Sequence, residues 1–243
     1  MPQPDPTSSA EDEIFSEIQQ SISVYRLKPY RRKQENKKDA LALYLWNMAL
    51  CEALYPVLQC IEVALRNTIH DALSKARSQK WYDEAGFLLP VELERVASAK
   101  AELDRNRKPH DHCRVVAELT FGFWASLFAA PYEKSFFILV APLAFARVPR
   151  KNRNRAFLSA RIQEIRKIRN RVFHHEPIWN DDLMREYLDM MELLKWLSPA
   201  KERLLEGKCR FVEIHDGGWE AFREYVDWVF ALEEEERVNL PKT

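Results

Sequence analysis

A chain of 243 residues with 47% hydrophobic and 30% charged residues can bury a sizeable core without disulfide or metal staples, and it is too apolar to be disordered. Five glycines are few for a strand-rich fold built on tight turns, so the composition favours long helices. The 37 basic and 37 acidic residues cancel overall yet are segregated. Positions 26–38 carry seven Lys or Arg against one Glu, positions 147–171 carry ten against Glu164, and acids gather at 233–236. Such blocks in a neutral chain point either to a local anionic partner or to solvated helix faces.

In chain order, residues 1–13 hold Pro, Ser, Asp and Glu without the basic-then-apolar pattern of a signal peptide, and read as a short disordered lead. Positions 11–24 read as a first helix and are followed by a basic connector. Over 40–76, Leu43, Trp46, Leu50, Leu54, Leu58, Ile61, Leu65 and Ile69 recur at spacings of three and four, which predicts a long helix that Pro56 kinks or divides. Positions 91–104 read as an exposed helix, and 112–129 and 132–146 as buried, aromatic-rich ones. Positions 153–173 form a long amphipathic helix that ends near His174 or His175, because Pro177 disfavours helical geometry at Glu176. A further helix spans 181–197 with Asp181 as N-cap and Pro199 beyond its end. Residues 209–214 read as a short strand, and after Gly217 and Gly218 a final amphipathic helix covers 219–235. No apolar run reaches the roughly 20 residues of a membrane span, so no membrane partner is expected. The four cysteines lack CxxC spacing and read as reduced thiols of a cytoplasmic protein. The fold class is all-α, divided as a lead (1–13), a helical domain (14–206) and a C-terminal appendage (207–243).

Successive helix residues rotate by about 100°. On that count Leu158, Ile162, Ile165, Val172 and Phe173 share one face, and Arg169 falls inside the same apolar stripe, whereas Arg166 and Arg171 lie further from its centre. A guanidinium there must be paired or must face a cavity. On the first long helix Leu58, Leu65, Ile69 and Leu73 frame Glu62, with Arg66 one turn on. Glu62 therefore meets Arg169 across the bundle or pairs locally with Arg66. Asn170, His174, His175 and Glu176 follow Arg169, and imidazole is the side chain best placed to exchange protons near neutral pH. In a continuous helix His174 points away from Arg169, so convergence requires either an unwound last turn or a second copy of the helix in a symmetric homodimer. Arg66-Asn67 with His70 repeats the pattern, as a second piece of a site or as hydrogen bonding that fixes packing. The triplet His174-His175-Glu176 lacks the i, i+4 spacing of metal-binding His pairs, and His110 and His112 beside Asp111 and Cys113 read as a helix start, so no metal and no cofactor are expected. P-loop, dinucleotide-binding and nucleophile-elbow glycine motifs are missing.

The run from Arg169 to His174, R-N-R-V-F-H, resembles the R-N-x-x-x-H form of the motif of HEPN ribonucleases. With RNRVFHHEPIW, the segment YLWNMALCEALYPVLQCIEVALRN (44–67) and LTFGFWASLF (119–128), the chain resembles the Abi-like, abortive-infection branch of that superfamily over roughly 17–205. The resemblance implies a HEPN-like helical bundle with extra helices, a homodimer joined through the motif helices, and metal-independent RNA cleavage. It casts His174, with His175 as the alternative, as general base or acid, Arg169 as the stabiliser of phosphate charge, and Asn170 as a hydrogen-bonding orienter. Glu62, Arg66 and Asn67 would support the site, and Arg166, Lys167 and Arg171 would bind RNA. An antitoxin or a phage-derived trigger would be a further partner. The rival readings are a non-catalytic RNA-binding module and a protein-interaction module.

Overall fold

The computed structural model describes residues 9–180 and 182–239. Twelve α-helices and no strand occur among them. They fall into two compact units: Met1–Ala53, His175–Asp181 and Arg210–Thr243 make one, and Leu54–His174 with Asp182–Cys209 the other.

In the first unit α1 (Ala10–Ile22) starts at Ser9, whose side chain accepts from the Asp12 amide, and Glu11, Asp12 and Glu13 complement the positive end of the helix. Helix therefore begins at Ala10, inside the stretch read as a lead. Helix α1 packs on α2 (Val24–Lys33) and on α12 (Arg223–Asn239). Ile14, Phe15, Leu27, Tyr30, Leu43 and Phe230 form part of the shared core. Much of the first basic block is consumed internally: Lys37 pairs with Asp12, Lys38 with Glu11 and Asp227, and Arg31 donates to the Glu35 carbonyl. Residues 209–214 are not a strand. Phe211–Gly217 is helix α11, whose Phe211 is fully buried, and Gly218 (φ 66°) ends it.

Helix α3 (Lys37–Ala76) contains the boundary between the units, at Ala53 and Leu54. Pro56 does not divide it. Proline removes only its own N–H, and the carbonyl that loses a donor belongs to exposed Glu52, where water can take over. By length and composition alone α3 could cross a bilayer, which a search for unbroken apolar runs misses. Its Leu50, Leu54, Val57, Ile61 and Leu65 are buried within the fold.

The second unit adds α4 (Pro90–Arg105), α5 (His112–Glu118), α6 (Phe121–Ser126), α7 (Ile138–Ala144), α8 (Arg155–Phe173), α9 (Leu183–Leu197) and α10 (Pro199–Leu205). Helix α4 is not simply exposed: it buries Val96, Ala99 and Leu103, and with them Glu92, which accepts from the Tyr132 hydroxyl at 2.8 Å. The expected helix over 112–129 breaks at Leu119 and Thr120, both extended, where the Leu119 carbonyl accepts the Trp124 indole N–H. Asp111 caps α5. The stretch before α7 is a π turn, Glu133–Phe137. Phe123, Trp124, Phe128, Phe136 and Phe145 build the aromatic core. Helix α8 packs on α6 and α9, with Arg161 paired to Asp189 and Glu192. Asp182 is the N-cap of α9, and Asp181 lies outside the described residues. Pro199 opens α10, one residue after its N-cap Ser198.

Candidate functional site

Helix α8 begins at Asn154, whose side chain accepts from the Phe157 amide, and its last helical residue is Phe173, with His174 as C-cap. The residues it buries are Leu158, Ile162, Ile165, Ile168 and Val172. Ile168 draws the centre of that stripe to one side, which leaves Arg169 at its edge and Phe173 beyond it, 43% exposed. Phe173 is therefore not a core residue, contrary to the reading from periodicity. Arg169 and Phe173, one turn apart, stack: the guanidinium carbon lies 4.3 Å from the ring centroid.

Both side chains line an open cleft of about 260 Å³ whose other wall is α3, with Tyr55, Leu58, Gln59, Glu62, Val63 and Arg66. Glu62 meets Arg169 here, carboxylate to guanidinium, at 3.7 Å. The pair is loose and both side chains stay more than a quarter exposed, so it contributes at most about 1 kcal/mol. Arg169 also keeps a buried Nε–H without a partner among the described residues. A buried donor in that condition is costly until something accepts from it. Arg66 does not pair with Glu62. Its Nη1 donates to the Ala117 carbonyl at 3.2 Å and its Nε to Asn67 Oδ1 at 3.3 Å, which ties α3 to the end of α5. Tyr55, 48% exposed, lies 5.7 Å from the Phe173 ring and closes the apolar end of the cleft.

The remaining motif residues are placed differently. The Asn170 carbonyl accepts from the His174 amide at 2.9 Å. The His174 side chain is exposed and is not among the residues lining the cleft. His175, also exposed, adopts φ 58°, a left-handed conformation that follows helix ends and normally selects glycine. In the first unit its carbonyl accepts from Arg26 Nη1 at 3.2 Å. Arg166 lies against Gly122 and reaches Gln163, Lys167 pairs with Glu164 on an exposed face, and Arg171 is half-buried and already engaged. His70 does not join the cleft; its Nδ1 accepts from the Trp81 indole at 3.1 Å. Among the described residues no three His, Cys, Asp or Glu side chains gather closely enough to hold a metal ion.

Asn47 was missed by the sequence reading. It is 3% exposed, and its Oδ1 accepts from the Ile178 amide at 2.7 Å and the Trp179 amide at 3.3 Å, while its Nδ2 faces the Glu176 carbonyl at 3.4 Å. The segment that follows the two histidines is thus held by one buried amide. The signal was present: Asn47 interrupts the Leu43, Leu50, Leu54 stripe of α3 as Glu62 interrupts the next one.

No curated protein and no solved structure matches this chain. The family model of the Abi-like proteins matches residues 17–180, a span that takes in both walls of the cleft, the two histidines and the segment held by Asn47. The chain belongs to the Abi-like protein family.

Proposed function

We propose that the protein is a metal-independent endoribonuclease of the HEPN type, acting in the cytoplasm in abortive infection or as a toxin. The observation that carries the reading is Arg169: a half-buried guanidinium with an unsatisfied Nε–H, in an open cleft, at the head of an R-N-x-x-x-H motif whose histidine is solvent-exposed. A planar donor fork of this kind suits a phosphodiester.

In the proposed reaction the His174 imidazole removes the proton from a ribose 2′-hydroxyl, and that oxygen forms a bond to phosphorus as the bond to the 5′-oxygen breaks. The leaving oxygen takes up a proton, and the products are a 2′,3′-cyclic phosphate and a 5′-hydroxyl. Arg169 offsets the charge gathering on the non-bridging oxygens, and Asn170 orients the phosphate or the imidazole. His174 does not line the cleft of its own protomer. The reading therefore requires a homodimer in which a second α8 supplies the imidazole, with the exposed rings of Tyr55 and Phe173 as apolar contact surface.

The test is cleavage of a labelled RNA by wild-type protein and by His174→Ala and Arg169→Ala variants, with the product ends identified. Each substitution should lower the rate by about 10²-fold or more without loss of folding, and the wild-type product should carry the cyclic phosphate. Undiminished cleavage by His174→Ala sinks the assignment. The cleft already holds Glu62 against Arg169, which favours, as second reading, a module that binds RNA without cutting it. That reading predicts salt-sensitive binding with no cleavage by any form of the protein.

A further inference from the structure

The first basic block is not consumed evenly. Lys37 and Lys38, beyond the end of α2, are paired with acids, and Arg31 donates to the Glu35 carbonyl. The other four cations, Arg26, Lys28, Arg32 and Lys33, lie on α2, a helix without an acidic residue. All four are exposed, and none has a carboxylate partner among the described residues. Cations in a last turn offset the negative end of a helix, which accounts for Arg32 and Lys33 but not for Lys28 in the middle. Nor does it account for Tyr25, whose ring is 84% exposed. At about 100° per residue, Tyr25, Lys28 and Arg32 form a crest opposite buried Leu27 and Tyr30, and Arg26 and Lys33 run along one flank. That flank meets the segment after the motif. Arg26 Nη1 donates to the His175 carbonyl at 3.2 Å, and Tyr30, one turn on, lies 6.2 Å from the Trp179 ring. Asn47 holds the same segment, and His174 is the residue before His175.

We propose that the crest of α2 is a track that leads single-stranded RNA to the histidine pair, with Tyr25 as a platform on which a base stacks and Lys28 and Arg32 as contacts to backbone phosphates. This rests on the ribonuclease reading and extends it, by placing a hold on the substrate outside the motif. An anionic bilayer takes up an apolar stripe, whereas the crest presents one flat ring among cations, which fits the alternation of base and phosphate along a strand. Stacking and phosphate contacts tolerate any base, so the track selects an unpaired strand and not a sequence.

The test uses full-length protein and a 2′-O-methyl oligonucleotide, which cannot be cleaved. Tyr25, Lys28 and Arg32 are exposed, so their substitution leaves the fold intact. The double variant Lys28→Gln, Arg32→Gln should show a log–log salt slope shallower by about 1.4, the value for two lost single-strand phosphate contacts. Carried from 1 M down to 0.15 M salt, that slope weakens binding roughly tenfold. Tyr25→Ala should weaken binding by about five- to hundredfold with the slope unchanged, and Tyr25→Phe should restore it, since stacking does not need the hydroxyl. With cleavable RNA the losses should appear in KM rather than kcat. Wild-type affinity and slope in both the double variant and Tyr25→Ala, with His174→Ala inactive, overturn the track and leave the ribonuclease standing. Wild-type binding by Tyr25→Ala alone overturns the base-stacking assignment. Flotation with phosphatidylserine-rich vesicles that the double variant loses, while its oligonucleotide binding stays unchanged, overturns the RNA assignment in favour of a lipid surface. A wild-type protein that neither binds nor cleaves RNA overturns both the track and the ribonuclease.

Discussion

Asn47 offers the most direct test of how the segment after the histidines is held. Pro177 disfavours helical backbone at Glu176, so the amides of Ile178 and Trp179 have no helical carbonyl of their own to donate to and need an acceptor from elsewhere. Asn47 Oδ1 supplies it, at 2.7 Å and 3.3 Å, and Ile178 is fully buried. Removing that oxygen leaves the Ile178 N–H without a partner in an apolar setting, which costs about 1–3 kcal/mol, and the half-buried Trp179 N–H adds about 1 kcal/mol. Asn47→Ala should therefore destabilise by about 2–4 kcal/mol and lower Tm by about 4–16 °C for a chain of this size. Asn47→Leu is the sharper variant, because it keeps the volume and removes only the polar atoms, and it should cost about as much as Asn47→Ala. Asn47→Asp keeps the acceptor oxygen but buries a charge and turns a second carboxylate oxygen toward the Glu176 carbonyl, so at neutral pH it should cost at least as much as Asn47→Ala. Urea midpoints and thermal midpoints measured together give the comparison. An Asn47→Leu protein within about 0.5 kcal/mol of wild type would show that the hydrogen bonds are not what holds this segment.

Two further outcomes follow from the histidines. His175→Gly relieves a left-handed φ of 58° that costs a non-glycine residue roughly 1–2 kcal/mol, so thermal melting should show a small gain in stability and cleavage should persist; loss of cleavage would move the catalytic role from His174 to His175. His70 accepts the Trp81 indole N–H, stacks 5.6 Å from the His112 ring, and has its pKa lowered from 6.5 by burial first and by His112 next, against a smaller opposing effect of Asp71. The unfolded chain takes up this proton first, so the contribution of His70 to stability is complete above about pH 6.5 and is lost as pH falls through the lowered folded value. Urea midpoints measured from pH 8 to pH 5 should decline below 6.5 in wild type and decline less in His70→Gln; parallel curves would remove His70 from the account.

How far the sequence reaches is clearest at Glu62 and Arg169. The rotation of about 100° per residue places each on an apolar stripe, and the structure brings them to 3.7 Å of one another. The end of α8 was equally legible, because the restriction that proline imposes on its predecessor is local. The unread features are those with remote causes. Phe173 fits the periodicity, yet α8 turns its stripe toward Ile168 and leaves the ring at the rim. Asn47 advertises itself as a polar residue among leucines, but its partners lie 129 to 132 positions away. The residues after Cys209 alternate enough to suggest a strand, and burial of Phe211 and packing of α11 decide for helix.

Charge illustrates the same limit in both directions. The dense basic run at 26–38 looks like a nucleic-acid patch, yet Lys37 and Lys38 are paired with acids of α1 and α12. In the second block Arg153 donates to the Ala146 and Val148 carbonyls, Arg155 to the Phe128 carbonyl, and Arg161 pairs with two acids of α9. Such residues are fixed by internal bonds and have less to offer a ligand. Arg169 of the same block is placed differently: it lines the cleft between α3 and α8, loosely paired to Glu62 at 3.7 Å, with Arg66 of α3 in the same lining. A phosphate responds to local charge that lacks a counter-ion, and not to the density of Lys and Arg along the chain. What sets Arg169 apart from its neighbours in the second block is therefore its surroundings, a loose pair and a buried Nε–H without a partner among the described residues, and not the number of basic residues around it.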